Sequence, residues 1–571
     1  MATIDSFKFD EKVNDQLKTV VHYGKHIGEN WPVVYLLNNS KEAYIGETHH
    51  VTVRMAQHLT NDSKKRLNEI HIITDEDFNK SVILDLEAFL IKHMGSDGKF
   101  KLQNGNHGLQ DHDYYQKKQY EEAFRKIWNK LKAANLVNQS ISEIENSALY
   151  KYSPYKSLGE DQIRAEMDIL RILADGYDRN VGKTIVVQGG AGTGKTILAI
   201  YLMKLFADIN NGTPEIDTTD YVDEDAESII ASESIRGIKK IALVMPQSTL
   251  KKSVTDVFKS IRGLNAKMVM GTTDIVDDYM ETGEKFDLVI VDEAHRLKCR
   301  WHGHLSSYPK FDKCTNALGM RKDDGNELEW IMKCSRNQIF FRDELQTVRP
   351  CDMTASDFKI ITARNTSEMV ERIVLSSQWR CEGGDRYIDY IKNILGGIKQ
   401  EPEHFDNYNL KLFDNVDEMI EEIKAKDSEY GLCRNAAGYA WKWESKKNKS
   451  AYDIEIQGHK YRWNSTYKNW IASPNSINEI GCIHTLQGYD LNYVGLIIGK
   501  DLKYNKEKEC IECDKTQYFD QQGKSGVADD TESLTQYLKN IYLTLMTRGI
   551  KGTYVYVCDD NLREYMRQFF I

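Results

Sequence analysis

The sequence predicts an α/β protein of more than one domain, a small α/β unit followed by two layers of parallel strands alternating with helices. Three observations lead there. At 571 residues the chain is several times the roughly 100–200 residues of a typical domain. From residue 184 onward, short apolar runs recur between helical stretches, which is the pattern of a parallel sheet covered by helices. Ahead of them, residues 31–106 pack strand-like runs and one long helical run into a short span.

Within that first span, residues 33–37 read as a strand and 82–94 as a helix. A charged, aromatic-rich helical stretch follows at 114–136, and 147–157, with Pro154, reads as a connector. Strands are expected at 184–187, 241–245, 288–291 and 338–341. A second set, at 372–376, 493–498 and 553–558, forms another α/β layer. The mixed-charge stretches 215–234 and 503–532 are expected as insertions or mobile loops.

Bulk properties exclude several classes. Hydrophobic residues at 41% and only 8 prolines describe a folded rather than a disordered chain. No stretch approaches the roughly 20 apolar residues needed to cross a bilayer, and the first ten residues lack a secretory pattern, so no membrane partner and a cytoplasmic location are expected. All ten cysteines lie from Cys299 onward, which argues against a disulfide framework. The net charge of −10 neither supports nor excludes nucleic acid, because local basic surface decides phosphate binding.

The strongest chemical signal is Gly189-Gly190-Ala191-Gly192-Thr193-Gly194-Lys195-Thr196, which fits G-x-x-x-x-G-K-[ST] between an expected strand and a helix. Glycines let backbone amides curl round phosphates, the helix N-terminus adds positive potential, Lys195 meets the β/γ-phosphates and Thr196 holds magnesium. The second half of this ATP site is an apolar strand ending in Asp292-Glu293-Ala294-His295. There Asp292 serves the metal ion and Glu293 polarises water for attack on the γ-phosphate.

Asp-Glu-Ala-His resembles the second nucleotide motif of helicases, and further matches follow in superfamily 1 order. Together, from about residue 155 to 571, they resemble the Schlafen-group helicase-like ATPases. The resemblance implies two RecA-like domains and gives roles to individual residues. Gln162, in Leu158-Gly159-Glu160-Asp161-Gln162, reads adenine, and Gln346, in Phe341-Arg342-Asp343-Glu344-Leu345-Gln346, senses the γ-phosphate. Arg380 of Gln378-Trp379-Arg380 and Arg548 of Leu545-Met546-Thr547-Arg548-Gly549 are presented to ATP. Gln487 and Gly488, in Thr485-Leu486-Gln487-Gly488-Tyr489-Asp490, couple ATP to nucleic acid. A fixed guanidinium that neutralises the transferring phosphoryl group makes hydrolysis depend on domain closure.

In the first unit, Val33-Val34-Tyr35-Leu36-Leu37, Ala43-Tyr44-Ile45-Gly46-Glu47-Thr48, Arg54 and Glu87 resemble the GIY-YIG nuclease domain. Val33-Val34 replace the first motif's Gly-Ile, while Tyr44-Ile45-Gly46 is intact. By this resemblance Tyr35 and Tyr44 orient or deprotonate water, Arg54 contacts the phosphate and Glu87 holds a divalent ion such as Mg2+ or Mn2+. His58 lies four residues after Arg54, on the same helical face, and assists. Asn104 takes the place of the family's late asparagine. The expected domains are a nuclease module at 1–135, a connector with the adenine motif at 136–165, and RecA-like domains at 166–365 and 366–571.

Two features stay outside these motifs. Cys299, His302, His304 and Cys314 match no paired-ligand spacing, and Cys510-Ile511-Glu512-Cys513 is a lone CxxC, so no zinc is expected. Between Tyr439 and Trp470, six aromatic residues interleave with lysines and Arg462. A twisted hairpin with buried rings accounts for that pattern, and so does a single-strand binding surface. The function expected from the whole is an ATP-driven motor on nucleic acid, DNA rather than RNA, coupled to phosphodiester cleavage in restriction, phage defence or repair. An ATP-switched sensor that does not cut, and an RNA-directed nuclease, are the alternatives.

Overall fold

The computed structural model describes residues 2–105, 114–212, 233–246, 248–300, 308–343, 352–366, 368, 370–378, 381–466, 470–486, 489–525 and 527–570. The chain divides into two compact units, one of residues 1–174, 197–239 and 253–269, the other of 175–196, 240–252 and 270–571. No helix among the described residues is long and apolar enough to cross a membrane.

The first unit is built on β1 (Thr3–Lys8), a ribbon of β2 (Val21–His22) and β3 (Lys25–His26), β4 (Val33–Asn38), β5 (Glu42–Thr48), β6 (Glu69–Thr74) and β7 (Lys101–Leu102). Its five-stranded sheet has the order β1-β6-β4-β5-β7. All its pairings are antiparallel except β5 with β7. Every residue of β4 is buried, as befits a central strand covered on both faces. Val33, Tyr35 and Leu37 pack with Val13, Leu17, Val51 and Met55 from the helices Val13–Thr19 and Val51–Thr60.

The helix Lys80–Asp97, which carries Glu87, is delimited at both ends. The Asn79 side chain accepts from the Val82 amide, and Gly98 closes the helix at φ 75°, where a side chain would be strained. Lys117–Ala133 buries Phe124, Ile127, Trp128 and Leu131, the spacing of one helical face. The expected connector does more than connect: it contains the short helix Ala148–Lys151, and Tyr155 is buried against Gly95, where an added Cβ would lie 2.6 Å from the ring.

The second unit holds two sheets. The first comprises β8 (Thr184–Gly189), β9 (Ile241–Val244), β10 (Val269–Met270), β11 (Phe286–Val291), β12 (Ser335–Arg342) and β13 (Glu371–Leu375), in the order β10-β9-β11-β12-β8-β13. The pairings from β9 through β13 are parallel. The other comprises β14 (Asn409–Phe413), β15 (Arg434–Ala437), β18 (Ile480–Cys482), β19 (Leu491–Ile498) and β22 (Gly549–Val557), parallel in the order β14-β22-β19-β15-β18. Two ribbons are added, β16 (Ile454–Ile456) with β17 (His459–Tyr461) and β20 (Leu502–Asn505) with β21 (Cys510–Cys513).

Two expectations are corrected. The strand at 372–376, grouped with the second layer, instead pairs with β8 at the edge of the first sheet. Apolar patterning marks a strand without naming its neighbour. The stretch 503–532, expected as an insertion or a mobile loop, fits the first and not the second, since it forms the β20–β21 ribbon and buries Ile511, Cys513 and Tyr518 in the core over β19 and β22. The stretch 215–234 lies almost wholly outside the described residues.

The nine cysteines among the described residues are all free thiols. Cys510 and Cys513 stand three apart on one strand and so face opposite sides. Trp463 and Trp470 are buried beside or beyond the β16–β17 ribbon, as a hairpin reading requires.

A close approach in the first sheet yields a stability prediction. Tyr35 pairs across the strands with Gly46, and a Cβ there would lie 2.2 Å from the tyrosine hydroxyl oxygen. Gly46→Ala is expected to destabilise the first unit by about 1–3 kcal/mol, the usual cost of overpacking. Chemical denaturation followed by tyrosine and tryptophan fluorescence measures this.

Candidate nucleotide and phosphodiester sites

The P-loop leaves the C-terminal end of β8 and enters the helix Lys195–Asn210. Three of its four glycines are required individually. Gly192 and Gly194 sit at φ 85° and 76°, in the left-handed region, and a Cβ on Gly189 would lie 2.4 Å from Thr193 Oγ1. Thr193 Oγ1 donates to the Gly190 carbonyl at 3.1 Å, tightening the loop. Lys195 Nζ donates to the carbonyls of Gly189 and Gly190 at 2.7 Å each and lies 3.6 Å from Asp343 Oδ2.

Strand order explains how the acidic groups arrive. β12 lies between β11 and β8, so three adjacent parallel strands end together, bearing Asp292, Asp343 and the P-loop. Thr196 Oγ1 donates to Asp292 Oδ2 at 2.7 Å, and the other oxygen of this fully buried carboxylate has no hydrogen-bond partner among the described residues. An oxygen pair of this kind, one hydroxyl and one carboxylate, fits a Mg2+ ion bound otherwise through phosphate and water. Burial, and next the charge of Glu293, push the Asp292 carboxyl up. A bound cation would reverse that shift.

Glu293 adopts φ 51°, uncommon for a non-glycine residue, immediately after the strand. Burial would raise its carboxyl, but His295, Lys195 and Arg548 outweigh burial and hold it well below the usual carboxylate range. His295 is fully buried; its Nδ1 accepts from the Asp343 amide at 3.3 Å, and its Nε2 lies 3.0 Å from Glu293 Oε2. Glu293 is therefore held ionised although buried. Arg548 is buried at the N-terminal end of β22, donating from Nη1 to the Tyr489 carbonyl, and its charge reaches Glu293.

Asp343 and His295 were given no role in the sequence. Asp343 sits three residues before Gln346, inside a motif already quoted, and that proximity was the available signal. Gln162, on the helix Glu160–Asp178 of the first unit, accepts from the Gly159 amide at 2.9 Å. Gln346, Arg380, Gln487 and Gly488 lie outside the described residues.

In the first unit, Tyr35, Tyr44, Arg54 and His58 form one cluster. Tyr35 Oη lies 2.8 Å from His58 Nε2, Arg54 Nε donates to the same hydroxyl oxygen at 3.3 Å, and the Tyr44 and His58 rings meet edge to face at 5.3 Å. Burial first, then the charges of Arg54 and Lys64, lower His58 to about 3, so it is neutral and can accept a hydrogen bond from the tyrosine hydroxyl. Lys64, absent from the sequence assignment, is buried with Nζ 3.4 Å from the Tyr44 ring centroid. The run Lys64-Lys65-Arg66 just after the Arg54 helix was its only signal.

Asn104 clamps the second motif. Its Oδ1 accepts from the Ile45 amide at 3.0 Å and its Nδ2 donates to the Ile45 carbonyl at 2.8 Å, taking the part of a neighbouring strand. Glu47, next to Gly46, is buried and accepts from Lys80 Nζ at 2.7 Å. Glu87 is half-buried on its helix. Among the described residues no group of three or more His, Cys, Asp or Glu could hold a metal. A divalent ion at Glu87 would thus have one carboxylate, with water and phosphate oxygens supplying the rest, a set that Mg2+ accepts.

The lowered His58 sets a pH dependence. Its ordinary value of 6.5 applies in the unfolded chain and about 3 in the folded one, so the unfolded chain binds the extra proton between these limits. This contribution to stability is complete above pH about 6.5 and is lost as pH falls toward 3. His58→Gln is expected to lose less stability than the wild type between pH 7 and 4.5 in urea titrations. Equal acid sensitivity would remove His58 as the source.

Residues 182–559 match the Schlafen group 3, DNA/RNA helicase domain. The uncharacterized protein YPL245W of Saccharomyces cerevisiae is 25% identical over 406 residues, 66% of this chain and 82% of that protein. Two solved structures are also similar. The Pif1 helicase from Bacteroides in complex with ADP-AlF3 and ssDNA is 11% identical, covering 73% of this chain and 95% of that one, with a TM-score of 0.27. A variant of S. cerevisiae Dbp5 bound to Nup159, a Gle1 variant, IP6 and ADP is 10% identical, covering 72% and 91%, with a TM-score of 0.29. The family match spans about two thirds of the 571 residues, and the chain belongs to the Schlafen group 3 DNA/RNA helicase domain family, a family of helicase-like P-loop ATPases.

Proposed function

We propose that this chain is an ATP-driven nucleic-acid motor whose amino-terminal module cleaves phosphodiester bonds with a divalent ion. The observation that supports it most is the convergence of the P-loop, Asp292 and Asp343 on three adjacent strand ends, with Arg548 acting on Glu293. In this reading the loop from Gly189 to Thr196, with Ala191, cradles the phosphates of ATP, Lys195 neutralises them, and Thr196 and Asp292 hold Mg2+. The metal would neutralise charge on the β- and γ-phosphates. Glu293, ionised and beside His295, accepts a hydrogen bond from the attacking water. Arg548 and Arg380 stabilise the transferring group, Gln346 senses it, Gln162 reads the base, and Gln487 with Gly488 couples turnover to the strand. The two parallel sheets of the second unit are the RecA-like domains.

For the amino-terminal module, the network from Arg54 through Tyr35 to His58 supports phosphodiester chemistry. Arg54 contacts the phosphate, neutral His58 orients the Tyr35 hydroxyl, Tyr35 and Tyr44 orient or deprotonate water beside Lys64, and Glu87 holds Mg2+ or Mn2+. A cutter joined to a motor suits DNA restriction, phage defence or repair, with DNA rather than RNA as substrate. One observation favours a second reading, a nucleic-acid sensor that does not cut: Tyr35 and Tyr44 are only 0% and 3% exposed.

Separate variants test the two chemistries. Lys195→Ala is expected to abolish ATP turnover, and Glu293→Gln to bind ATP yet release phosphate on the order of 10³-fold more slowly. Arg548→Ala and Arg380→Ala should lower turnover by a similar factor with less change in ATP binding. Near-normal phosphate release by Glu293→Gln would rule out its water-activating role. Glu87→Ala should eliminate metal-dependent cleavage of single- and double-stranded DNA and RNA while ATP hydrolysis survives. A wild type that binds these strands under ATP control but cuts none of them selects the sensor reading.

A further inference from the structure

The second sheet of the second unit carries a cleft remote from Arg548. It has a volume of about 490 Å³, and Trp441, Lys442, Lys500, Phe519 and Tyr556 are among the residues that line it. Lys442 follows the end of β15, Lys500 follows the end of β19, and Tyr556 is the penultimate residue of β22. The cleft therefore opens at the C-terminal ends of parallel strands, where ligands of open α/β sheets bind. Arg548 precedes the first residue of the nine-residue β22, about 25–30 Å away along the strand.

Its chemistry is specific. Three aromatic rings reach the cleft, and the Trp441 ring is braced edge-on by buried Trp463 at 6.2 Å, itself stacked on Tyr439 at 5.7 Å. Lys442 Nζ stands 5.8 Å from the Phe519 ring centroid. Glu455, the acidic group at the wall, pairs with Lys460 at 3.8 Å. No ion pair to Lys442 or Lys500 occurs among the described residues, although the chain as a whole has ten more acidic than basic side chains. The cleft is thus a small, aromatic and cationic site in an acidic protein. Its volume suits a ligand the size of one nucleotide.

We propose that this cleft holds one nucleotide of a single-stranded nucleic acid, the base against Trp441 and Phe519 and the phosphates paired with Lys442 and Lys500. Rings supply sequence-tolerant stacking and lysines follow the backbone, the combination that single-strand binding uses. The site gives the motor a hold on the strand separate from its ATP chemistry. It rests on the nucleic-acid reading above and deepens it.

Cross-linking and titration of the full chain test it together. A 12-nucleotide strand with one 5-iodouracil, as DNA and as RNA, is irradiated with the protein and the linked peptides are identified by mass spectrometry, with 5-iodouridine monophosphate in parallel. Links to Trp441, Phe519 or Tyr556 are expected from the strand. The exposed double variant Lys442→Glu/Lys500→Glu should weaken strand binding by about 10-fold or more and flatten its salt dependence. Its ATPase rate without nucleic acid should stay at the wild-type level, which reports intact folding. Normal strand affinity in this variant with links only elsewhere overturns the cleft assignment and leaves the motor reading standing. Links from the monophosphate but not the strand overturn it in favour of a free nucleotide. A wild type that binds no strand overturns both.

Discussion

Everything proposed for the nucleotide site depends on one buried hydrogen bond, from Thr196 Oγ1 to Asp292 Oδ2. It joins the first turn of the P-loop helix to the end of β11, across the width of β12. A fully buried carboxylate is costly unless it is hydrogen-bonded or paired, and Asp292 has this hydroxyl on one side and Lys195 near by. The strand order does the rest. Because β12 separates β11 from β8, the Asp343 carboxylate falls beside Lys195 and the Asp343 amide falls on His295. One ordering of three strands thus sets the positions of a cation, two carboxylates and an imidazole.

The amino-terminal cluster obeys a different constraint, that of space. Tyr35 reaches His58 and Arg54 only because Gly46 opposite it has no side chain, and Asn104 pairs with the Ile45 amide and carbonyl of β5 as a strand would. Burial first, and then two cations, Arg54 and Lys64, keep His58 neutral. Small residues and amides in this unit position the groups that carry charge.

Local features were legible in the sequence and long-range ones were not. The P-loop could be read because its glycines answer to local backbone requirements, two of them to positive φ. The helix Lys80–Asp97 was found within three residues at each end because its apolar run at 82–94 is itself a local signal. The partner of β13 could not be read, since an edge strand looks alike whichever sheet it joins. Lys64 and Asp343 were missed for the same reason: each acquires its meaning from a residue distant in sequence, Tyr44 and Lys195 respectively. Charge misled at 503–532, where acidic and basic residues surround the apolar anchors Ile511 and Tyr518.

The amide of Asp343 also ties two tasks to one strand end. It donates to His295 Nδ1, whose other ring nitrogen lies 3.0 Å from Glu293 Oε2, while the Asp343 carboxylate lies 3.6 Å from Lys195. The motif with Gln346 begins on this strand. A displacement of β12 would therefore be felt at the P-loop cation and at the acidic pair together, so that the two halves of the nucleotide site share one point of leverage.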